Sequence, residues 1–244
     1  MNNNLNKFGY FKTKILSKRQ INHIKQQIFF YYDINKKSDI IYKIVNMYKK
    51  KPSIAGNRYD LLNLDLKIQS IFFSNRVANK IKRLFSQSKK LSEIKIGFAD
   101  FQILVMLPKS KKENLGWHQD SAYFKYSRKN FSNLVVWTPI SLTSDIVNGS
   151  LDIVRESHKK GIIFHNENLH KNRKKVSIEK RGRFYIDKKK ISQKKIVNLK
   201  VKSGESLIFD ANSIHRTSAK SDNANDIRFT IISRYKYLNK LKLQ

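Results

Sequence analysis

The sequence predicts an α+β fold, a β-rich jelly-roll core spanning about residues 93–244, buttressed by helices drawn from residues 1–92. Two observations carry this. Up to about residue 90 the apolar residues recur mainly at helical spacing, and from Ile94 onward they gather into short β-type runs with no long helices between them. Such runs must stack as a sandwich or barrel to bury their apolar faces, and a jelly roll is the natural candidate. No Pro/Gly/Ser linker separates the halves, so the chain reads as one domain over 1–244. At 244 residues, with 40% hydrophobic and 11% aromatic residues, it has the length and composition to bury a substantial core.

Taken in order, Phe8 to Leu16 reads as a short extended segment. Ser17 followed by Gln20 has the form of a capping box, and Ile21, Ile24, Ile28 and Tyr31 then mark a helix from about Lys18 to Tyr32. Ile40, Ile41, Ile44, Val45 and Tyr48 mark a second helix, which the run Lys49-Lys50-Lys51-Pro52 should stop. A third spans Asn75 to Phe85. The β-type runs are 94–107, 134–140, 151–154, 196–201, 206–209 and 227–237. Between them lies a basic, weakly patterned insertion, 159–202. A stretch of that length is either a lid over a site or a solvated excursion.

The chain carries 51 Lys plus Arg against 18 Asp plus Glu, a formal charge of +33. Such a field attracts phosphates, anionic lipid, acidic carriers or nucleic acid. The same excess also follows from a general bias toward Lys, Asn and Ile, so a nucleic-acid or membrane partner is allowed without being favoured. The absence of cysteine excludes disulfides, zinc ribbons and thiol nucleophiles. The first residues lack a signal peptide's design and no apolar run is of membrane-spanning length, which makes the cytoplasm the default location.

The chemistry concentrates in Gly116-Trp117-His118-Gln119-Asp120. In an extended segment His118 and Asp120 project from one face and can close on one ion. A third nitrogen would complete a two-histidine, one-carboxylate set, which binds ferrous iron and leaves positions open for a co-substrate and dioxygen. Of the other histidines, His23 reads as surface, His165 and His170 as solvated parts of the insertion, and His158 as a structural partner in a turn. His215 follows the apolar run 206–209 and could reach Asp120 only if the sheet folds back. Beyond it, Arg228 stands on an otherwise apolar strand, where a charge is costly to bury unless paired with an anion, and guanidinium suits a bidentate grip on a carboxylate.

These residues, with Val136-Trp137-Thr138-Pro139-Ile140, Asn148-Gly149-Ser150-Leu151 and Arg155-Glu156-Ser157-His158-Lys159, resemble the phytanoyl-CoA dioxygenase family of iron(II)- and 2-oxoglutarate-dependent oxygenases. The resemblance implies a double-stranded β-helix, the cupin-like form of the jelly roll. It assigns iron to His118, Asp120 and His215. It implies that Arg228 and Thr217 hold the distal carboxylate of 2-oxoglutarate, and that Trp137 and Gln102 line the co-substrate pocket. Two departures stand out: Arg155-Glu156 where the family commonly has Pro-Gly, and Thr217 where serine is usual.

Three protein ligands leave room for a bidentate 2-oxo acid and for dioxygen. Relatives that halogenate replace the carboxylate ligand, so Asp120 favours hydroxylation. The substrate implied is a small or carrier-linked, anionic or neutral metabolite, with Tyr123 and Phe124 as wall positions. The rival reading is a binding protein of the same fold that uses its basic surface for nucleic acid, membrane or an anionic polymer.

Overall fold

The structure is a computed structural model that describes residues 3–85, 90–108, 115–123, 133–142, 149–168, 182–218 and 227–238. The helices are α1 (Asn3–Phe8), α2 (Lys18–Tyr31), α3 (Ile40–Lys50), α4 (Pro52–Leu64), α5 (Leu66–Phe73) and α6 (Asn75–Phe85). Among the described residues no helix is long and apolar enough to cross a membrane.

The Ser17 capping box opens α2 as expected, its side chain accepting from the Gln20 N–H. The run Lys49 to Pro52 ends α3 at Lys50 as expected, but a further helix follows at once. Proline takes the first position of a new helix, α4, where its missing N–H costs nothing. Asp65 then caps α5 by accepting from the N–H groups of Lys67 and Ile68. Periodicity does not reveal α4, because Ile54, Leu61 and Leu64 point to solvent while only Ala55 and Leu62 are buried.

Eight of the described strands form two packed sheets. Five make the larger, in the order β1 (Tyr10–Thr13), β8 (Ser206–Asp210), β3 (Asn133–Ser141), β10 (Arg228–Tyr237), β2 (Ile96–Met106). Three make the smaller: β7 (Ile196–Leu199), β4 (Leu151–Val154), β9 (His215–Thr217). Every pairing in both is antiparallel. Alternation of side chains divides the core in two. Leu134, Val136, Ile140, Ile208, Phe229 and Ile231 face the helices, packing on Ile24, Ile28, Tyr32, Phe72 and Ile81. Val135, Trp137, Leu207, Phe209 and Ile232 face inward, packing on Leu151, Ile153 and Leu199 of the smaller sheet.

The open edge of β2 is partly covered from α4. Asn63 accepts from the Ile103 N–H at 2.7 Å and donates to the Ile103 carbonyl at 3.2 Å, imitating a paired strand. Between β4 and β7 a short antiparallel pair, β5 (Asn166–Glu167) with β6 (Phe184–Tyr185), belongs to the insertion. Its described parts are not merely solvated. Ile186 and Ile191 pack with Trp117, Val154 and Ile214, with Ile163 and Ile196 alongside, in a third apolar cluster. Residues 169–181 of the insertion, including Arg173, Lys174, Lys175 and His170, lie outside the described residues.

Candidate metal centre

His215 does not sit at the end of the preceding strand; it opens a strand of its own, β9, in the other sheet. His118 forms an isolated antiparallel bridge with it. Each backbone N–H donates to the other's carbonyl at 2.9 Å. Two histidines 97 positions apart are thereby placed side by side, their rings 4.3 Å apart. The period-two rule then sends Asp120 to the same side as His118. Ligand atoms of His118, Asp120 and His215 all lie within 4.8 Å of one another, and all three residues are buried.

The tautomers follow from the hydrogen bonds. His118 Nδ1 lies 2.8 Å from the Gly116 carbonyl and His215 Nδ1 lies 2.9 Å from the Ser213 carbonyl. A carbonyl only accepts, so both Nδ1 atoms carry hydrogen and both Nε2 lone pairs are left for a metal. Those Nε2 atoms lie 3.6 and 3.5 Å from Asp120 Oδ1. Burial, together with the neighbouring His118, pushes the His215 imidazole down to about 4, so it is neutral near pH 7 and competent to ligate. The donor set, two imidazole nitrogens and a carboxylate oxygen, suits iron(II).

Burial would raise the Asp120 carboxyl, but Arg234 and the two histidines hold it far below the usual carboxylate range. Arg234, on β10, was not singled out by its sequence context. Its Nε and Nη2 each lie 2.8 Å from Asp120 Oδ2, and its Nη1 donates to Asp100 on β2. Burial disfavours the charged guanidinium, and the two carboxylates more than restore it. The available signal was parity: Arg234 shares a strand face with Arg228.

That face, Arg228, Thr230, Ile232, Arg234, points between the sheets. Arg228 is buried at the head of β10, its guanidinium carbon 5.2 Å from the centroid of the Trp137 ring. Gln102 pairs with Ile232 across β2 and has the parity of Asp100, which places it on the same inner face. Thr217 follows His215 on β9, and its hydroxyl accepts from the Leu115 N–H at 3.4 Å. Thr230 is 2% exposed, and its hydroxyl has no hydrogen-bond partner among the described residues. An arginine, an aromatic wall and an orphaned hydroxyl facing one interior form a set that fits a carboxylate-bearing ligand.

On the outer side of the centre, Tyr123 stands edge-on to His118 at 6.0 Å and edge-on to Phe184 of β6 at 5.2 Å. Phe184, in the insertion, therefore reaches the rim of the candidate ligand cluster. Phe124 lies outside the described residues. Gln119, fully buried, staples the surrounding loops. It donates to the carbonyls of Gly161 and Asn212 and accepts from the Ile163 N–H. His165 is not a solvated residue: it is half-buried, and its Nε2 accepts from the Gln119 N–H.

The turn at Arg155-Glu156 survives the absence of Pro-Gly, because Glu156 takes the left-handed backbone, φ 63°, that glycine would take. Ser157 then ties the sheet together, donating to the Val154 carbonyl and accepting from the Ile214 N–H, next to His215. His158 contacts the Asn6 carbonyl and is not among the clustered ligands.

The sequence profile of the family described as phytanoyl-CoA dioxygenase (PhyH) matches residues 48–227, and the chain belongs to that family. The match takes in His118, Asp120 and His215 and stops one residue short of Arg228. No curated protein matches the chain in sequence. Among solved structures, the fold is similar to that of a non-heme monooxygenase, ThoJ, in its apo form, with TM-score 0.61 and 16% identity over 96% of this chain and 75% of that one. EvdO2 from Micromonospora carbonacea var. aurantiaca, complexed with 2-oxoglutarate, gives TM-score 0.61 and 15% identity over 96% and 88%. EctD from S. alaskensis, in its apoform, gives 0.58 and 12% over 97% and 75%. These likenesses show the shared fold.

Proposed function

We propose that the protein is an iron(II)- and 2-oxoglutarate-dependent oxygenase that hydroxylates a small or carrier-linked metabolite. The observation that carries the proposal is the convergence of three ligand atoms from two segments far apart in the chain, with both histidines hydrogen-bonded through Nδ1 so that Nε2 is presented to an ion. Family membership supports the same chemistry. So does EvdO2, a fold relative studied in complex with 2-oxoglutarate.

In this reading His118, Asp120 and His215 hold the metal, and Arg228 pairs with the distal carboxylate of the co-substrate, with Trp137, Thr217, Thr230 and Gln102 around it. Bound iron and 2-oxoglutarate supply the activation of dioxygen, one oxygen atom leaving in succinate and the other entering the substrate, with release of carbon dioxide. The chain's own contribution is to orient and to exclude water. Buried Trp137 and Ile232 dry the inner side, while Tyr123 and Phe184 narrow the mouth beside His118. The presence of Asp120 leaves no vacant ligand position for a halide, which favours hydroxylation over halogenation. The exposed lysines of the insertion, Lys188 to Lys190 among them, favour an anionic substrate or carrier.

The test is anaerobic titration with iron(II) and 2-oxoglutarate, followed by exposure to air. A visible charge-transfer band and slow uncoupled formation of succinate are expected. A folded protein that gives neither is not an oxygenase, and its fold then serves as a binding scaffold.

A further inference from the structure

Arg234 makes contacts that the ligand set alone does not explain. It sits opposite Asp100 in the β10–β2 register, immediately before the point where that register shifts. Such an irregularity re-aims a side chain, and here the guanidinium is turned onto the metal-facing carboxylate. The two oxygens of Asp120 are in different situations. Oδ1 faces both histidine Nε2 atoms, at 3.6 and 3.5 Å, while Oδ2 takes two nitrogens of Arg234 at 2.8 Å each. The third nitrogen is fixed by Asp100, and the Arg234 side chain is 13% exposed.

We propose that Arg234 is a positioning residue that reserves Oδ2 of Asp120 and so makes this carboxylate a single-oxygen metal ligand, with Asp100 as its anchor and counter-charge. The inference rests on the iron-centre reading above. A carboxylate with both oxygens free can close on an ion through both, taking a coordination position that a bidentate co-substrate and dioxygen need. Withdrawing Oδ2 from a charge-assisted, forked contact with a buried guanidinium opposes that closure. Charge explains Asp100. Arg234 alone would cancel the charge of Asp120 and weaken its attraction for a cation. With Asp100 in the chain the three groups sum to −1, the charge that Asp120 would carry by itself.

The test is cobalt(II) titration, alone and then with 2-oxoglutarate, on the wild type and on Arg234→Lys and Asp100→Asn, each first shown folded by its thermal transition. Lysine keeps the charge and loses the fork; asparagine keeps the shape and leaves Arg234 uncompensated. Both variants are expected to raise the cobalt dissociation constant by about 10–100-fold, the usual effect of removing a partner of a metal ligand. In Arg234→Lys the visible cobalt spectrum and the 2-oxoglutarate affinity should change together, as the carboxylate gains freedom to bind through both oxygens. A merely structural ion pair would lower the melting temperature and leave cobalt affinity and spectrum as in the wild type. Asp100→Asn is half-exposed and close to isosteric, so it keeps the inference testable if Arg234→Lys fails to fold. A wild type that binds cobalt, with either folded variant matching it, overturns the inference alone. A wild type that takes no cobalt overturns the proposed function and the inference with it.

Discussion

One strand, β10, runs through two chemistries. Its helix-facing side chains, Phe229, Ile231, Ser233 and Tyr235, lie against the apolar faces of the helices, and Phe229 meets Tyr32 edge-on at 5.6 Å. Its inner side chains, Arg228, Thr230, Ile232 and Arg234, include two cations, Arg228 buried and Arg234 mostly so, separated by roughly 20 Å of strand. The first face is what stability requires. The second is costly to bury: Asp120 and Asp100 meet the charge of Arg234, and in the proposed function the co-substrate carboxylate meets that of Arg228. Adjacent residues therefore answer to different demands, and substitutions one position apart should fail in different ways.

The largest effect should come from the helix-facing side. Phe229→Ala removes a fully buried ring and leaves a cavity that the rigid sheet cannot close, at a cost of roughly 3–5 kcal/mol in urea-induced unfolding. In whatever fraction stays folded, cobalt affinity should equal that of the wild type. A selective loss of metal affinity would break the division of labour between the faces.

Its neighbour should show the reverse. Arg228→Met keeps the length of the side chain and removes the charge, and the variant is first shown folded by its thermal transition. The affinity for 2-oxoglutarate, read from the concentration dependence of the charge-transfer band, should fall by roughly 30–5000-fold, the range for losing one partner of a buried charge pair. Iron(II) binding without 2-oxoglutarate should be untouched. An unchanged 2-oxoglutarate affinity would remove Arg228 from the co-substrate site.

This division also explains what could be read from the sequence. Strand alternation and the His-x-Asp spacing are local, so α2, α3, α6, the main strands and the candidate ligands were legible. The contact between His118 and His215 depends on a bridge between segments 97 positions apart, which spacing allows but cannot specify. Arg234 was legible only by its parity with Arg228, because its partners, Asp120 and Asp100, lie on separate segments. The α4 helix was hidden by its exposed Ile54, Leu61 and Leu64, which erase the apolar stripe. His165 lay in a basic stretch that resembles solvated loop, and only its contact with the Gln119 N–H shows it docked.

A smaller effect should follow at the junction behind β9. Ser157→Ala leaves the Ile214 N–H without its hydroxyl acceptor, a loss of roughly 1–3 kcal/mol for a buried donor. Because Ile214 precedes His215, cobalt affinity should drop modestly as well, whereas 2-oxoglutarate affinity should hold once metal is saturating. Hydrogen exchange at Ile214 gives an independent reading: faster exchange there, with β10 unaffected, is the expected result.

The smallest effect concerns the turn where Glu156 takes the place of glycine. Two contributions oppose each other. The left-handed backbone at φ 63° is strained for any residue with a Cβ, so Glu156→Gly relieves it. Against that, Lys195 and Lys159 pair with the exposed Glu156 carboxylate and pull it down to about 2. A carboxyl lowered in the folded state contributes stability above its unfolded value, near 4.5, and loses it as the pH falls toward 2. At pH 7 the relief and the lost pairs should nearly cancel, leaving the melting temperature within a few degrees of the wild type. As the pH drops from 5 toward 3 the wild type alone surrenders the ion pairs, so the glycine variant should gain relative to it. If the difference between the two is flat with pH, the lysines contribute nothing at this turn, and backbone strain alone decides the effect of the substitution.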